Sequence, residues 1–352
     1  MTAFTSSNRD NRGILRIPYP PTVSAWASVV GHKEHDGPLG GDFDLHADDD
    51  KFGMDTWEKA ESEMQRLALG MLLKKSGCRE EDIGAVFAGD LLNQCTGSSF
   101  GLLDAKIPYF GLYGACSTMA EGLMLSSLLV GSGYFAKAAA VCSSHFCSAE
   151  RQFRFPIEYG GQRTPTAQWT VTGAGAVMLS EEGCGPYVTE VLPGISVQKG
   201  ITDAANMGAA MAPAAIDTLS RYFASSGELP SAFDAILTGD LGQVGHDITA
   251  DLLCSMGYDI RAVYNDCGLM IYSSNAQDMH AGGSGCGCSA SVLCGHVLKK
   301  FASGEYKNIL FVGTGALMSP TSVQQGLPIA GIAHLVRISA EKPTEKGGAC
   351  HA

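Results

Sequence analysis

Ala85-Val-Phe-Ala-Gly-Asp-Leu91 and Ala235-Ile-Leu-Thr-Gly-Asp-Leu241 are two copies of one word, and Ser76-Gly77 and Ser226-Gly227 precede them at the same offset. Each copy is a short apolar run that ends in Gly-Asp, which reads as a buried strand entering a turn. A repeat this long marks a duplicated domain rather than a solenoid. Ahead of the first copy, Trp57 to Lys75 carries Ala60, Met64, Leu67, Leu69, Met71 and Leu72 at helical spacing. Thr22 to Val30, Tyr109 to Leu112, Ala138 to Cys142, Thr170 to Ser180 and Ile309 to Val312 read as further strands. Strands alternating with crossover-length helices predict an α/β fold with largely parallel sheets, built from two similar halves packed as one body. The polar turn Glu181-Glu-Gly-Cys-Gly-Pro186 divides the halves into 1–183 and 184–340. Residues 1–21 form an irregular lead-in, and 341–352, without periodicity, form a mobile tail.

The 352 residues exceed the size of one ordinary core, and 45% of them are hydrophobic, enough for two. With 24 basic against 36 acidic residues the net charge is -12, which disfavours nucleic acid and anionic lipid as partners. The N-terminus lacks the pattern of a signal peptide, and no apolar run reaches spanning length, so the chain is expected to be made in the cytoplasm without a signal peptide. The 12 Cys are scattered and several lie in apolar runs, which reads as reduced thiols. Cys286 and Cys288 have one residue between them and no second pair at zinc spacing, so no metal is expected.

The chemistry concentrates in Ile107-Pro-Tyr-Phe-Gly-Leu-Tyr-Gly-Ala-Cys-Ser-Thr-Met-Ala-Glu121. Thr118 and Glu121 read as a capping box, placing a helix start near Met119 and Cys116 just ahead of it. There the macrodipole and unpaired N–H groups lower a thiol pKa and favour a thiolate or a bound anion, although a buried Cys under a tight turn fits the same pattern. His145 and His334 follow or lie in strands and are possible partners for the thiol, or else neutral core histidines. His280, ahead of the loop Gly282-Gly-Ser-Gly-Cys-Gly-Cys-Ser289, is a weaker third. That loop offers backbone N–H groups as an anion cradle, but fits neither phosphate-loop nor dinucleotide spacing. Asp90 and Asp240 end equivalent strands. A loop-ordering role is favoured for Asp240, while Asp90, beside Asn93, is open between order and binding. Arg151, Arg154 and Arg163 supply the best local positive charge for an anion, unless they pair with Glu150 and Glu158.

Gly114-Ala-Cys-Ser-Thr118, Thr172-Gly-Ala-Gly-Ala176 and the duplicated halves resemble the thiolase and ketoacyl-synthase superfamily, with its layered αβαβα fold. A closer resemblance, to the stage V sporulation protein AD family, is carried by His35-Asp-Gly-Pro-Leu-Gly40, Ala88-Gly-Asp-Leu-Leu-Asn-Gln94, Ser148-Ala-Glu-Arg-Gln-Phe-Arg154 with Glu158-Tyr-Gly-Gly-Gln162, Met207-Gly-Ala-Ala-Met-Ala-Pro-Ala214, Asp266-Cys-Gly-Leu269 and Ala281-Gly-Gly-Ser-Gly285.

This resemblance implies a protein that binds dipicolinic acid, pyridine-2,6-dicarboxylate, and takes part in its uptake into the developing spore. The implied partners are dipicolinic acid or its calcium chelate and other proteins of a spore-membrane complex, with peripheral association at the spore inner membrane and a homodimer. No cofactor is implied, and calcium enters only with the ligand. The ligand-binding set expected on this basis is Cys116, Ser117, Asp90, Asn93, His145, Arg151, Arg154, Gly283, Ser284, Gly285 and His334. In the superfamily's enzymes the Cys works with a His in the second-half loop. Here Gly283-Ser284-Gly285 stands in that place unless the alignment slips to bring in His280, and His334 fills the position near the last strand. The incomplete set implies a binding protein without condensing activity. The alternative is an acyl transferase that forms a thioester on Cys116 with His334 and His145.

Overall fold

A computed structural model describes residues 13–153 and 163–343. The repeated words form the second strands of two sheets with one topology. The first contains β1 (Thr22–Val30), β2 (Ala85–Gly89), β3 (Tyr109–Gly111), β4 (Lys137–Ser144) and β5 (Gly173–Ser180), in the spatial order β3-β2-β4-β5-β1. The second contains β6 (Tyr187–Leu192), β7 (Ala235–Thr238), β8 (Tyr264–Asp266), β9 (Asn308–Leu317) and β10 (Ala330–Ser339), in the order β8-β7-β9-β10-β6. One pairing, Thr22 with Tyr187, joins them.

The sheets are mixed rather than wholly parallel. In each half the last strand, β5 or β10, lies between the first and fourth strands and runs against both. Between β9 and β10 the chain holds only the short helix Pro320–Gln324, too little for a parallel crossover, so β10 returns antiparallel. The lead-in is ordered from its described start: Leu15 and Arg16 pair with Val191 and Glu190 of the second sheet, and Ile14 and Ile17 are buried.

Five helices complete the layers: α1 (Trp57–Ser76), α2 (Thr118–Gly131), α3 (Met207–Ser226), α4 (Gly242–Ser255) and α5 (Cys286–Val292). The outer helix α1 packs on the first sheet, where Met64, Ala68, Leu69 and Leu72 meet Val86, Ala88, Ala139 and Val141. Its counterpart α3 packs on the second, with Met211, Ala215 and Leu219 against Ile236, Leu310 and Leu335. Between the sheets, Met119, Ala120 and Leu123 of α2 join Phe87, Ala140 and Cys142 to Leu237, Phe311 and Val336. Strands buried on both faces explain why the strand portions of both repeated words are almost wholly apolar. Equivalent positions take equivalent sides, with Phe87 and Leu237 facing the middle layer and Val86 and Ile236 the outer helices. The outer helices also end alike, on Gly77 at φ 66° and Gly227 at φ 72°. A Cβ on either meets nothing within 4 Å, so glycine is needed there for the left-handed backbone and not for space.

Candidate functional site

Cys116 sits in the turn Ala115–Ser117 that leads into α2, at the carboxyl side of the first sheet and against the second. Ala115 takes φ 49°, a left-handed conformation that costs a non-glycine residue energy. Local bonds hold it: Thr118 Oγ1 donates to the Ala115 carbonyl at 2.7 Å and accepts from Gly114 N–H at 3.2 Å, and Ser117 Oγ donates to the Gly114 carbonyl at 2.6 Å. The turn therefore consumes the threonine that the sequence suggested as a cap. No capping box forms, and Glu121 Oε2 is buried without a partner, its carboxyl pushed up by burial. Strand β9 backs the turn so closely that a Cβ on Gly315 would lie 2.5 Å from the Gly114 oxygen.

The thiol is the reverse of activated. Burial pushes Cys116 well above the ordinary thiol range, and the neighbouring Asp240 carboxylate, to which it is hydrogen-bonded, pushes the same way. Gly285 N–H and the Ser284 hydroxyl pull it down less. A helix-start field is worth about 2 kcal/mol at best, whereas full burial of an ionisable group moves its pKa by roughly 3–5 units. Desolvation wins, and Cys116 is a protonated thiol at neutral pH.

Asp240, expected to order its own loop, instead ties the glycine-rich loop of the second half to strand β9, beside Cys116 of the first half. Its Oδ2 accepts from Gly285 N–H at 2.9 Å and Ser284 Oγ at 3.2 Å, and its Oδ1 from Thr314 Oγ1 at 2.8 Å. Burial raises its carboxyl to about 6. Asp90 does the local work. Its carboxylate accepts from Leu92 N–H at 2.9 Å, Ser98 N–H at 2.7 Å and Ser98 Oγ at 2.6 Å, and it does not line the cleft.

Beside Cys116 opens a narrow cleft. Leu91, Tyr113, Phe153, Met207 and Met318 give it apolar walls, and Glu150, Gln168, Thr170 and Ser284 give it polar groups. The short strand Trp169–Thr170 pairs in parallel with Gly283–Ser284, which places the glycine-rich loop at this cleft. Gln168 Nε2 donates to the Asp240 carbonyl at 2.7 Å and the Gly283 carbonyl at 2.8 Å, leaving its Oε1 buried and unpartnered.

Of the expected ligand set, Cys116 and Ser284 line this cleft, Gly283 and Gly285 support it, and Ser117 is buried under the turn. Neither histidine lines it. His145 is bonded to the Asp50 carbonyl at 2.6 Å and accepts from Cys147 N–H at 3.1 Å, and burial lowers its pKa. His334 accepts from Gly194 N–H at 3.1 Å through Nδ1, and burial lowers it to about 4, so it is neutral at pH 7. Arg151 turns to Glu58, at 2.9 Å through Nε, and stacks over Trp57, because an exposed acidic partner lies within reach across the helix pair. Asn93 is exposed, with its backbone N–H on Gln152 Oε1 at 2.9 Å. Arg154 lies outside the described residues. Among the described residues no cluster of His, Cys, Asp or Glu could hold a metal ion. Gln168 and Thr170 line the cleft without having been singled out by the sequence, and Asp240 sits behind it, bonded to Ser284. The strand's two-residue alternation would have put Gln168 and Thr170 on one side, but nothing local shows which side.

Buried acids give the fold a distinctive pH dependence. Burial raises Glu34 to about 7 and Glu61 to about 8. Each holds a proton in the folded state that the unfolded chain has released, so its stabilising contribution is present below the ordinary carboxylate range and lost as pH rises through the folded pKa. His334 acts oppositely, but its gain is complete by its unfolded value of 6.5. Stability should therefore fall between pH 6.5 and pH 8. The urea midpoint is expected to be lower at pH 8, and an equal or higher midpoint there contradicts this reading of the buried carboxyls.

The model of the family described as Stage V sporulation protein AD matches residues 12–339. The chain belongs to that family. It is 42% identical over 316 residues to Stage V sporulation protein AD of Bacillus subtilis (strain 168), covering 90% of this chain and 93% of the relative. Solved structures show the same fold at low identity. OleA of Xanthomonas campestris bound to cerulenin aligns with TM-score 0.56 at 16% identity, over 90% of this chain and 96% of that one. The 3-oxoacyl-[acyl-carrier-protein] synthase III of Aquifex aeolicus VF5 aligns with TM-score 0.54 at 13% identity, over 90% and 99%. The family member thus carries a thiolase-like synthase scaffold, as its duplicated layers indicate.

Proposed function

We propose that this sporulation protein binds dipicolinic acid in the cleft beside Cys116 and takes part in its uptake into the developing spore, without condensing acyl groups. The observation that carries this reading is the pairing of the Cys116 thiol with the buried Asp240 carboxylate. A nucleophilic thiol needs its ionised form favoured, and burial beside a negative charge opposes that form. What remains is a cleft with aromatic and thioether walls for a flat ring and several hydroxyl and amide groups for its carboxylates.

Arg151 is committed to Glu58, and Glu150 lines the cleft, which supports entry of the dianion with its charge offset as the calcium chelate. Other proteins of the spore-membrane complex are the proposed partners. Association with the inner membrane is proposed as peripheral, in keeping with described helices that are not long and apolar enough to cross a bilayer.

Titration calorimetry of the purified chain with sodium dipicolinate, with and without calcium, tests the binding. Saturable heat is expected, with tighter binding when calcium is present, and no heat under either condition refutes the reading. Incubation with an acyl-CoA panel and intact-mass measurement tests the chemistry. No adduct is expected, while an acyl adduct lost in Cys116→Ala would make the chain an acyl transferase.

A further inference from the structure

Most of the polar side chains that line the cleft beside Cys116 are already committed to the protein. Gln168 Nε2 donates to the Asp240 and Gly283 carbonyls, and its amide oxygen is sealed from solvent. Ser284 Oγ donates to Asp240 Oδ2 at 3.2 Å, and the Tyr113 hydroxyl donates to the Met318 carbonyl at 3.2 Å. The Cys116 thiol is bonded to Asp240, and Glu150 carries the same sign of charge as an anionic ligand. Thr170 differs from all of these. Its hydroxyl has no hydrogen-bond partner among the described residues, and it is not one of the sealed side-chain atoms. Thr170 is therefore the lining side chain with a donor still to give.

The fold holds that hydroxyl in place. Thr170 lies opposite Ser284 in the short parallel pair, where Trp169 N–H donates to the Gly282 carbonyl at 2.9 Å and Val171 N–H to the Ser284 carbonyl at 2.8 Å. Alternation turns Trp169 to the far side of the strand, and there Phe146 stacks on its ring at 3.6 Å between centroids. The Thr170 methyl faces the glycine-rich loop, since a Cβ on Gly285 would stand 3.3 Å from Thr170 Cγ2. A β-branched side chain is stiff about χ1, so a methyl fixed there gives the hydroxyl one direction. A donor placed in advance loses little freedom when a ligand arrives.

We propose that Thr170 Oγ1 donates a hydrogen bond to a carboxylate oxygen of the ligand in this cleft. The inference rests on the cleft reading above and adds to it the residue that receives the carboxylate. It is consistent with entry of the calcium chelate. A calcium ion bound by the ring nitrogen and one oxygen of each carboxylate leaves the second oxygen of each free to accept, and a neutral hydroxyl suffices once the charge is offset.

Titration calorimetry with sodium dipicolinate in excess calcium, on the unsubstituted chain, Thr170→Val and Thr170→Ser, tests this. Valine keeps the shape of the side chain and removes the donor, so affinity should fall roughly tenfold or more, as for a lost hydrogen bond to a charged group. Serine keeps the donor, and its affinity should stay within about threefold of the unsubstituted chain. Because the hydroxyl has no partner in the protein, Thr170→Val should not lower the urea midpoint, which a purely structural role would do. Equal binding by Thr170→Val and the unsubstituted chain overturns this inference and leaves the cleft reading standing. Thr170→Ser binding as poorly as Thr170→Val, or a lowered urea midpoint in Thr170→Val, overturns it as well. No binding by the unsubstituted chain overturns it together with the cleft reading.

Discussion

Replacing Asp240 with alanine is expected to destabilise the chain by about 3–5 kcal/mol, the range for removing one side of a buried, hydrogen-bonded charge. The carboxylate is the common acceptor for Gly285 N–H and Ser284 Oγ of the second-half loop and for Thr314 Oγ1 of β9. It also faces the Cys116 thiol of the first half. Without it these buried donors lose their partner and a cavity opens among them, so the cost combines unsatisfied groups with lost packing. Asp240→Asn keeps the volume and one acceptor oxygen and should cost less. Because Asp240 helps hold the thiol protonated, Asp240→Asn should also bring the Cys116 pKa down and speed its alkylation by iodoacetamide in the folded protein. Urea denaturation and native-state alkylation read the two effects. A loss below ~1 kcal/mol for Asp240→Ala would show that the carboxylate does not organise the junction.

Asp90 and Asp240 also show how far the sequence is legible. The repeated words identify both strands, their depth in the fold and the duplication itself, because apolar content and a Gly-Asp ending are local properties. They do not separate the roles of the two acids. Asp90 finds its partners within a few residues, at Leu92 and Ser98. Asp240 finds its partners in a distant loop and strand, at Ser284, Gly285 and Thr314, through contacts that no local window contains.

The same division explains Cys116. Its place before a helix is legible from spacing, while its protonation depends on burial between two sheets that meet only in the folded chain. Arg151 is a further case. A cluster of arginines marks positive charge in sequence, yet Glu58 on α1 captures this one because α1 packs beside it. The resemblance to a sporulation family, carried by long words spread along the chain, was the more secure guide to identity. The match over residues 12–339 agrees with it.

Gly315→Ala should be strongly damaging although it adds a single methyl group. Gly315 lies in β9 with ordinary strand dihedrals, so the need for glycine is one of space. A Cβ there would stand 2.5 Å from the Gly114 oxygen, 3.0 Å from Ser117 N and 3.3 Å from Cys116 N. All three are backbone atoms, which cannot rotate out of the way as a side-chain end can. The turn must shift, and with it the Ser117 Oγ bond to the Gly114 carbonyl, the strained Ala115 and the approach of Cys116 to Asp240. Overpacking of this kind costs about 1–3 kcal/mol, and the rigidity of the neighbours puts the expected value near 3. Dipicolinate binding, if it uses this cleft, should weaken at least tenfold in the same variant. Gly70→Ala supplies the contrast. Gly70 is exposed inside α1 with nothing within 4 Å of a Cβ, so alanine there should stabilise by roughly 0.5–1 kcal/mol through helix propensity. Urea denaturation of both variants checks the opposite signs, and a neutral or stabilising Gly315→Ala would mean that β9 does not back the Cys116 turn as closely as described.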